Sequence, residues 1–106
     1  MRLVRRFHDT TAGTTWAGAH EVVCHGDLGP HNTVFRGEEA VRIVDWDDEV
    51  SGGERVLDVA HAIWCYADLV EDAVPVEEQA RRLELACATY GGVTPAQVVE
   101  ELLARF

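Results

Sequence analysis

Two short motifs in the first half of this 106-residue chain contain the residue types that phosphoryl transfer requires. The first is the loop 25–32, with the sequence HGDLGPHN, and the second is the segment 43–47, with the sequence IVDWD. Phosphoryl transfer needs one carboxylate at the attacking hydroxyl, and a second carboxylate with an amide oxygen to hold Mg²⁺ against the nucleotide phosphates. Asp27, Asp45 and Asn32 supply these three groups.

The spacing of these residues is as informative as their types. Four residues separate Asp27 from Asn32, and this loop lies between two short apolar runs. The catalytic loop of protein kinases has the same interval from Asp to Asn, and a metal-binding Asp follows it behind a β-hairpin. Here the segments 33–36 and 41–44 predict the two strands of that hairpin. We therefore expect the three side chains to converge across one hairpin.

At these residues the sequence resembles the aminoglycoside phosphotransferase family, which includes choline kinase-like enzymes. These kinase-like proteins phosphorylate antibiotics, choline, homoserine and other small hydroxyl compounds. The resemblance covers about residues 20–70 and rests on the loop 25–32, the segment 43–47 and the sequence LDVA at residues 57–60. It implies transfer of the γ-phosphoryl group of ATP or GTP, with Mg²⁺, to a hydroxyl of a small molecule.

The resemblance also implies a role for each matching residue. Asp27 would be the catalytic base, and Asn32 and Asp45 would be the Mg²⁺ ligands. His25 would brace the loop from below. Asp58 would accept hydrogen bonds from the backbone of the catalytic loop and keep it rigid.

Three further acidic residues, Asp47, Asp48 and Glu49, continue the second motif. We favour a solvated turn for them; the alternatives are an auxiliary metal contact from Asp47 or contacts from Asp48 and Glu49 to a cationic substrate. The formal net charge of −10 excludes a nucleic-acid partner and an anionic membrane surface, because both require a basic patch. An acidic chain is better suited to a cationic small molecule.

The fold predicted from the pattern is α+β and mostly helical, and the family resemblance implies the architecture of a protein-kinase C-terminal lobe. A short helix around residues 3–7 precedes β-hairpins that carry the catalytic loop, and Gly52 and Gly53 are expected to close the acidic stretch as a turn. From residue 55 onwards the apolar residues repeat with the period of an α-helix, which predicts about three helices. The residues predicted to face the core are Val56, Val59, Ala60, Ile63, Ala67 and Val70, then Val76, Ala80, Leu83, Cys87 and Tyr90, and finally Val98, Leu102 and Phe106.

The chain is expected to form a single domain over residues 1–106, since its length allows one core and not the two lobes of a kinase. The sequence before residue 20 contains no glycine-rich hairpin, no lysine and no partner glutamate. We therefore expect a C-lobe without its nucleotide-binding lobe, with weak nucleotide binding and little turnover by itself. The expected partners are a separate N-lobe or a second copy of the chain.

Two other interpretations of the motifs stay open. One is a metal-dependent hydrolase in which His25, Asp27 and His31 bind the metal. The other is a non-catalytic remnant that serves as a binding module. The kinase-like interpretation is preferred to the hydrolase because it also accounts for Asn32, Asp45 and Asp58.

The remaining signals concern compartment and packing. Three widely spaced cysteines without a Cys-x-x-Cys pair indicate a reducing cytoplasm, with each thiol serving as a small buried apolar group. No apolar run approaches the length of a membrane span. The aromatic residues expected to pack rather than to stack on a ligand are Trp16, Trp46, Trp64 and Tyr66.

Overall fold

The computed structural model describes residues 1–46, 50–66 and 74–105. Within these ranges it contains four α-helices and two small antiparallel sheets, which agrees with the predicted α+β class. In chain order the elements are α1 (Arg2–Thr11), β1 (Val22–Cys24), a single 3₁₀ turn (Pro30–Asn32), β2 (Thr33–Arg36), β3 (Glu39–Ile43), β4 (Ser51–Gly53), α2 (Arg55–Tyr66), α3 (Val76–Tyr90) and α4 (Pro95–Arg105).

The predicted hairpin is present. Strands β2 and β3 pair antiparallel, with Thr33 opposite Ile43, and the turn between them contains Gly37 at a φ of 64°. Glycine suits that position because a Cβ atom is unfavourable in the left-handed region. This hairpin places the end of the 25–32 loop beside the start of the second acidic motif.

The expectation of a turn at Gly52 and Gly53 is wrong. Both residues lie in β4, which pairs antiparallel with β1, with Val22 opposite Gly53. Both glycines allow the backbone to pack closely against its neighbours. A Cβ on Gly52 would lie 2.7 Å from the carbonyl oxygen of Ala17, and a Cβ on Gly53 would lie 3.0 Å from the Cys24 sulfur. The 25–32 loop therefore connects two different sheets, β1–β4 and β2–β3.

The core lies between the helices and the inner side of the 25–32 loop. Leu28 from the loop packs with the buried face of α2, where Val59, Ala60 and Ile63 are almost fully enclosed. The predicted core residues Ala67, Val70 and Phe106 lie outside the described residues. The core also contains Val98 and Leu102 of α4, as predicted, and Tyr90 of α3.

The sequence Thr94-Pro95-Ala96-Gln97 predicts the start of the fourth helix, with a threonine as N-cap, a proline at the first helical position and a glutamine at the third, and the structure confirms it. The hydroxyl of Thr94 accepts the backbone N–H of Gln97 at 3.2 Å, and the side-chain oxygen of Gln97 accepts the backbone N–H of Thr94 at 2.9 Å. This reciprocal pair satisfies two donors at the helix start, with Pro95 at the first helical position.

The apolar stripe predicted on α3 is correct only in the second half of the helix. Cys87 and Tyr90 are buried and Leu83 is half-buried, but Ala80 is exposed and Val76 is 74% exposed. Among the described residues, only the second half of α3 packs against the core. The apolar periodicity alone therefore overestimates how much of this helix is buried.

The prediction that the aromatic residues pack in the core is also partly wrong. Trp16 is 81% exposed in the connection after α1, and Tyr66 is exposed at the end of α2. Trp46 is 40% exposed, because it lies across the surface with its ring 4.3 Å from that of Phe7. Trp64 is half-buried against the core, as predicted.

The three cysteines are free, with Cys24 and Cys87 buried and Cys65 half-buried. Among the described helices, none combines the length and apolar character needed to cross a bilayer.

Candidate active site

The 25–32 loop is attached to α2 through a buried carboxylate. Asp58 lies in the first turn of α2 and is only 1% exposed. Its Oδ2 accepts the backbone N–H of His25 at 2.7 Å, and its Oδ1 accepts that of Gly26 at 3.0 Å. Because charge-assisted hydrogen bonds are among the stronger ones in proteins, this pair fixes the start of the loop relative to the helix.

The same carboxylate also bonds to α1. His8 Nε2 lies 2.8 Å from Asp58 Oδ2, and the other ring nitrogen lies 2.6 Å from the hydroxyl of Tyr90. Arg55 donates to that hydroxyl at 3.1 Å. One chain of hydrogen bonds thus runs from Arg55 through Tyr90 and His8 to Asp58, and it joins three helices beneath the loop.

His8 and Tyr90 were not predicted as members of this site. His8 lies one helical turn after buried Val4, so the apolar face of α1 could have indicated a buried imidazole. A buried imidazole needs hydrogen-bond partners, and that need points towards a nearby carboxylate.

Burial alone would raise the pKa of Asp58, but the bonds from His8, Gly26 and His25 outweigh it, and the pKa is lowered from its usual value. Ligand atoms of His8, Cys24 and Asp58 lie within 4.8 Å of one another. They do not form a good metal site, because both Asp58 oxygens are engaged and burial raises the pKa of the Cys24 thiol to about 12. This cluster is a structural hydrogen-bond network.

His25 is buried at the point where β1 enters the loop. Its Nε2 lies 2.8 Å from the carbonyl oxygen of Val44, and its Nδ1 accepts the backbone N–H of Asp27 at 3.1 Å. A neutral imidazole with its proton on Nε2 satisfies both bonds. His25 therefore joins the 25–32 loop to the end of the hairpin, and neither ring nitrogen is left to bind a metal.

Asn32 and Asp27 are in direct contact. The amide nitrogen of Asn32 donates to the backbone oxygen of Asp27 at 3.0 Å and to its Oδ2 at 3.2 Å. Because these bonds use the nitrogen side of the amide, the carbonyl oxygen of Asn32 is the atom suited to a cation. Asn32 is buried, whereas the Asp27 side chain is 40% exposed and accessible to a substrate.

The hairpin brings Asp45 to the same place. The N–H of Val44 donates to the backbone oxygen of Asn32 at 2.9 Å, and the carbonyl of Val44 is held by His25. The next residue, Asp45, is exposed and has a φ of 63°, a conformation that few non-glycine residues adopt. Strained backbone of this kind is frequent at functional sites.

Asp27 lies between two histidines. His31 Nε2 is 3.2 Å from Asp27 Oδ2, and His61 Nε2, from α2, is 3.4 Å from Oδ1. The hydrogen bond from His31 is the main reason why the pKa of Asp27 is lowered from its usual value. His61 was not identified from the sequence, although it follows Asp58 by three residues and therefore lies on the same face of the helix.

The other predicted members of the site, Asp47, Asp48 and Glu49, lie outside the described residues. Those that are described present the carboxylate of Asp45 and the amide oxygen of Asn32 on adjacent backbone segments, beside the carboxylate of Asp27. Oxygen donors of this kind suit Mg²⁺, which binds through one or two carboxylates together with substrate phosphates. The residues present therefore fit the metal that the family resemblance implies.

A mixed α+β domain with an anchored Asp–Asn loop and a second acid beside it is the arrangement expected of a phosphotransferase. The chain belongs to the Phosphotransferase enzyme family, whose family model matches residues 2–96.

Among curated proteins the chain is similar to a trifolitoxin immunity protein of Rhizobium leguminosarum bv. trifolii. The two are 33% identical over 87 residues, covering 68% of this chain and 33% of the relative. The chain thus spans about a third of the length of that relative. No solved structure matches.

Proposed function

We propose that this chain carries the catalytic loop and metal-binding residues of a small-molecule phosphotransferase that uses ATP or GTP. The main support is the contact of Asn32 with Asp27 on a loop that Asp58 anchors, with Asp45 placed beside it by the Val44 backbone. Family membership supports the reaction class.

Asp27 is the catalytic base in this proposal. Its half-exposed carboxylate orients the acceptor hydroxyl and takes the hydroxyl proton as the oxygen bonds to the γ-phosphorus and the bond to the β-phosphate oxygen breaks. The low pKa of Asp27 keeps it ionised and ready to accept a hydrogen bond at neutral pH. Most of the acceleration comes from positioning and charge neutralisation, since little covalent chemistry falls to the protein.

Asn32 and Asp45 would hold Mg²⁺. When bound, the metal neutralises charge on the nucleotide phosphates. Asn32 contributes its amide oxygen because its nitrogen is engaged by Asp27, and Asp45 contributes its exposed carboxylate. His25 and Asp58 bind no ligand in this proposal; they keep the loop and the hairpin end at a fixed separation.

The acceptor in this proposal is a hydroxyl on a small molecule, and the net charge of −10 favours a cationic one. Residues beyond those of this chain, from an N-lobe or from a second copy, would cover the nucleotide from above. Two observations support this part of the proposal: the family resemblance, and the fact that the chain spans about a third of the length of its curated relative.

The direct test is calorimetric titration of the purified chain with a non-hydrolysable ATP analogue, with and without Mg²⁺, repeated with the GTP analogue. We expect saturable binding that needs Mg²⁺ and is lost in Asp45→Asn. Glu100→Gln is the matched control, because it removes the same charge from an exposed position on α4. Absence of Mg²⁺-dependent binding in the folded wild type, or an equal loss in both variants, would contradict the proposal.

A non-catalytic binding module is the second candidate. It is favoured by the relative, since immunity to a toxin can be achieved by binding. In that case a cationic ligand would bind equally well to wild type and to Asp27→Asn, and no phosphorylated product would form. The hydrolase alternative is weaker, because both nitrogens of His25 are engaged by backbone groups.

A further inference from the structure

Among the described residues near the 25–32 loop, His61 has buried side-chain nitrogens that lack hydrogen-bond partners. Both ring nitrogens are buried, and neither has a hydrogen-bond partner among the described residues. Nε2 lies 3.4 Å from Oδ1 of Asp27, within ion-pair distance but too long for a good hydrogen bond. His61 projects from α2 one turn after Asp58, which anchors the same loop.

A buried polar atom without a hydrogen-bond partner destabilises the folded state, because it loses its bonds to water and gains none in return. A hydrogen bond from Nε2 of His61 to Asp27 Oδ1, which lies 3.4 Å away, would remove this destabilisation for Nε2, while Nδ1 would keep no partner among the described residues. The proton must then reside on Nε2, since an unprotonated nitrogen would direct its lone pair at a carboxylate oxygen.

The other oxygen of Asp27 already has its donors. Oδ2 is 3.2 Å from the amide nitrogen of Asn32 and 3.2 Å from Nε2 of His31. A carboxylate offers about four lone-pair sites. Two are used at Oδ2, so a donor from His61 at Oδ1 leaves a single site, also on Oδ1, for an incoming hydroxyl.

We propose that His61 is a positioning residue for Asp27, donating from Nε2 to Oδ1 and thereby fixing the rotation of the carboxylate. This proposal rests on the proposed function of Asp27 as the base. In it, the remaining lone pair on Oδ1 takes the proton of the acceptor hydroxyl. His61 does not touch the substrate; it acts through Asp27.

The first experiment observes the tautomer of His61 by long-range ¹H–¹⁵N correlation NMR on the full chain, at about pH 8 where ordinary imidazoles are neutral. The His61 signal is assigned by its loss in His61→Gln. We expect the Nε2–H tautomer in the wild type and a mixture of tautomers in Asp27→Ala, which removes a half-exposed side chain and leaves the core intact. His31→Ala is the control and leaves the His61 tautomer unchanged, because His31 bonds to the other oxygen.

An Nδ1–H tautomer in the wild type, or a tautomer that does not respond to Asp27→Ala, would overturn the proposal. The result does not depend on turnover. If the wild-type protein did not bind the Mg²⁺–nucleotide complex, the proposed function would be refuted, but the contact between His61 and Asp27 would still be tested by the tautomer measurement.

The second measurement is steady-state kinetics of phosphate transfer, made on the chain alone or together with a completing lobe. His61→Ala should lower kcat about tenfold with the KM for nucleotide unchanged, because the base is misplaced while the metal residues are intact. His61→Gln should recover most of that loss, since its amide N–H can occupy the place of Nε2–H. A loss expressed in the nucleotide KM, or no recovery in a His61→Gln protein with wild-type thermal stability, would count against a positioning role.

Discussion

The carboxylate of Asp58 accepts the backbone N–H of His25 at 2.7 Å, although the two residues are 33 positions apart in the sequence. This contact joins the first turn of α2 to the start of the 25–32 loop. Through His8 the same carboxylate also reaches α1, so a single buried charge positions the loop between two helices. Removal of this charge should therefore affect both stability and the site.

Replacement of Asp58 by alanine should be strongly destabilising. It leaves the backbone N–H groups of His25 and Gly26, and Nε2 of the buried His8, without their acceptor. We expect a loss of about 3 kcal/mol in the free energy of unfolding, as is typical when one partner of a buried pair is removed. Urea denaturation followed by circular dichroism measures it. Glu54→Ala, at an exposed residue that pairs with His20, is the control, and a similar small loss in both variants would refute this account.

The low pKa of Asp58 predicts how stability depends on pH. A carboxyl group whose pKa is lower in the folded state stabilises the fold above its unfolded value, near 3.9, and this contribution disappears as the pH falls through the folded value. Unfolding free energies measured from about pH 6 downwards should fall more steeply below about pH 4 in the wild type than in Asp58→Asn. Parallel curves for the two proteins would show that Asp58 is not a source of the acid sensitivity.

Gly29 allows His31 to fold back towards Asp27. A Cβ at position 29 would lie 2.9 Å from Cε1 and 3.0 Å from Nδ1 of His31, so Gly29→Ala should displace the imidazole. Because the bond from His31 is the main cause of the low pKa of Asp27, that pKa should rise towards its usual value. Carboxyl ¹³C NMR titration measures the shift, and His31→Ala should give the same change. An unchanged Asp27 pKa in Gly29→Ala would mean that the ring keeps its contact.

The three thiols should differ in reactivity. Burial raises the pKa of Cys24 to about 12, and it also raises the pKa of Cys87; both side chains are buried. Cys65 is half-buried and also has a raised pKa, so it should be alkylated first, though slowly. A time course with iodoacetamide, read by mass spectrometry, should show Cys24 and Cys87 modified only after urea is added. Labelling of Cys24 as fast as Cys65 in the native protein would contradict the structure.

Much of the fold could be predicted because the signals are local. The β2–β3 hairpin follows from the two β-rich segments on either side of Gly37, and the start of α4 follows from the Thr94–Gln97 capping pair. Gly52 and Gly53 were misjudged because glycine permits both turns and close packing. Only the neighbouring Ala17 and Cys24, distant in sequence, show which of the two applies here.

The candidate site was predictable to a similar extent. The motif spacing predicted that Asp27, Asn32 and Asp45 lie on neighbouring segments, since their separation is set by one loop and one hairpin. His8, Tyr90 and His61 were not identified, because their contacts with Asp58 and Asp27 depend on how the helices pack. The exposure of Trp46 was missed for the same reason: its partners Phe7 and His25 come from other elements.

The most direct test of the central claim locates the metal with Mn²⁺ as a paramagnetic substitute for Mg²⁺. In ¹⁵N-labelled protein with the non-hydrolysable ATP analogue, we expect selective broadening of the backbone signals of Asp27, Asn32, Val44 and Asp45, and loss of that broadening in Asp45→Asn. Broadening centred elsewhere, for example at Glu77 and Glu78 on α3, or equally strong broadening in Asp45→Asn, would contradict the assignment of this loop as the catalytic centre of a phosphotransferase.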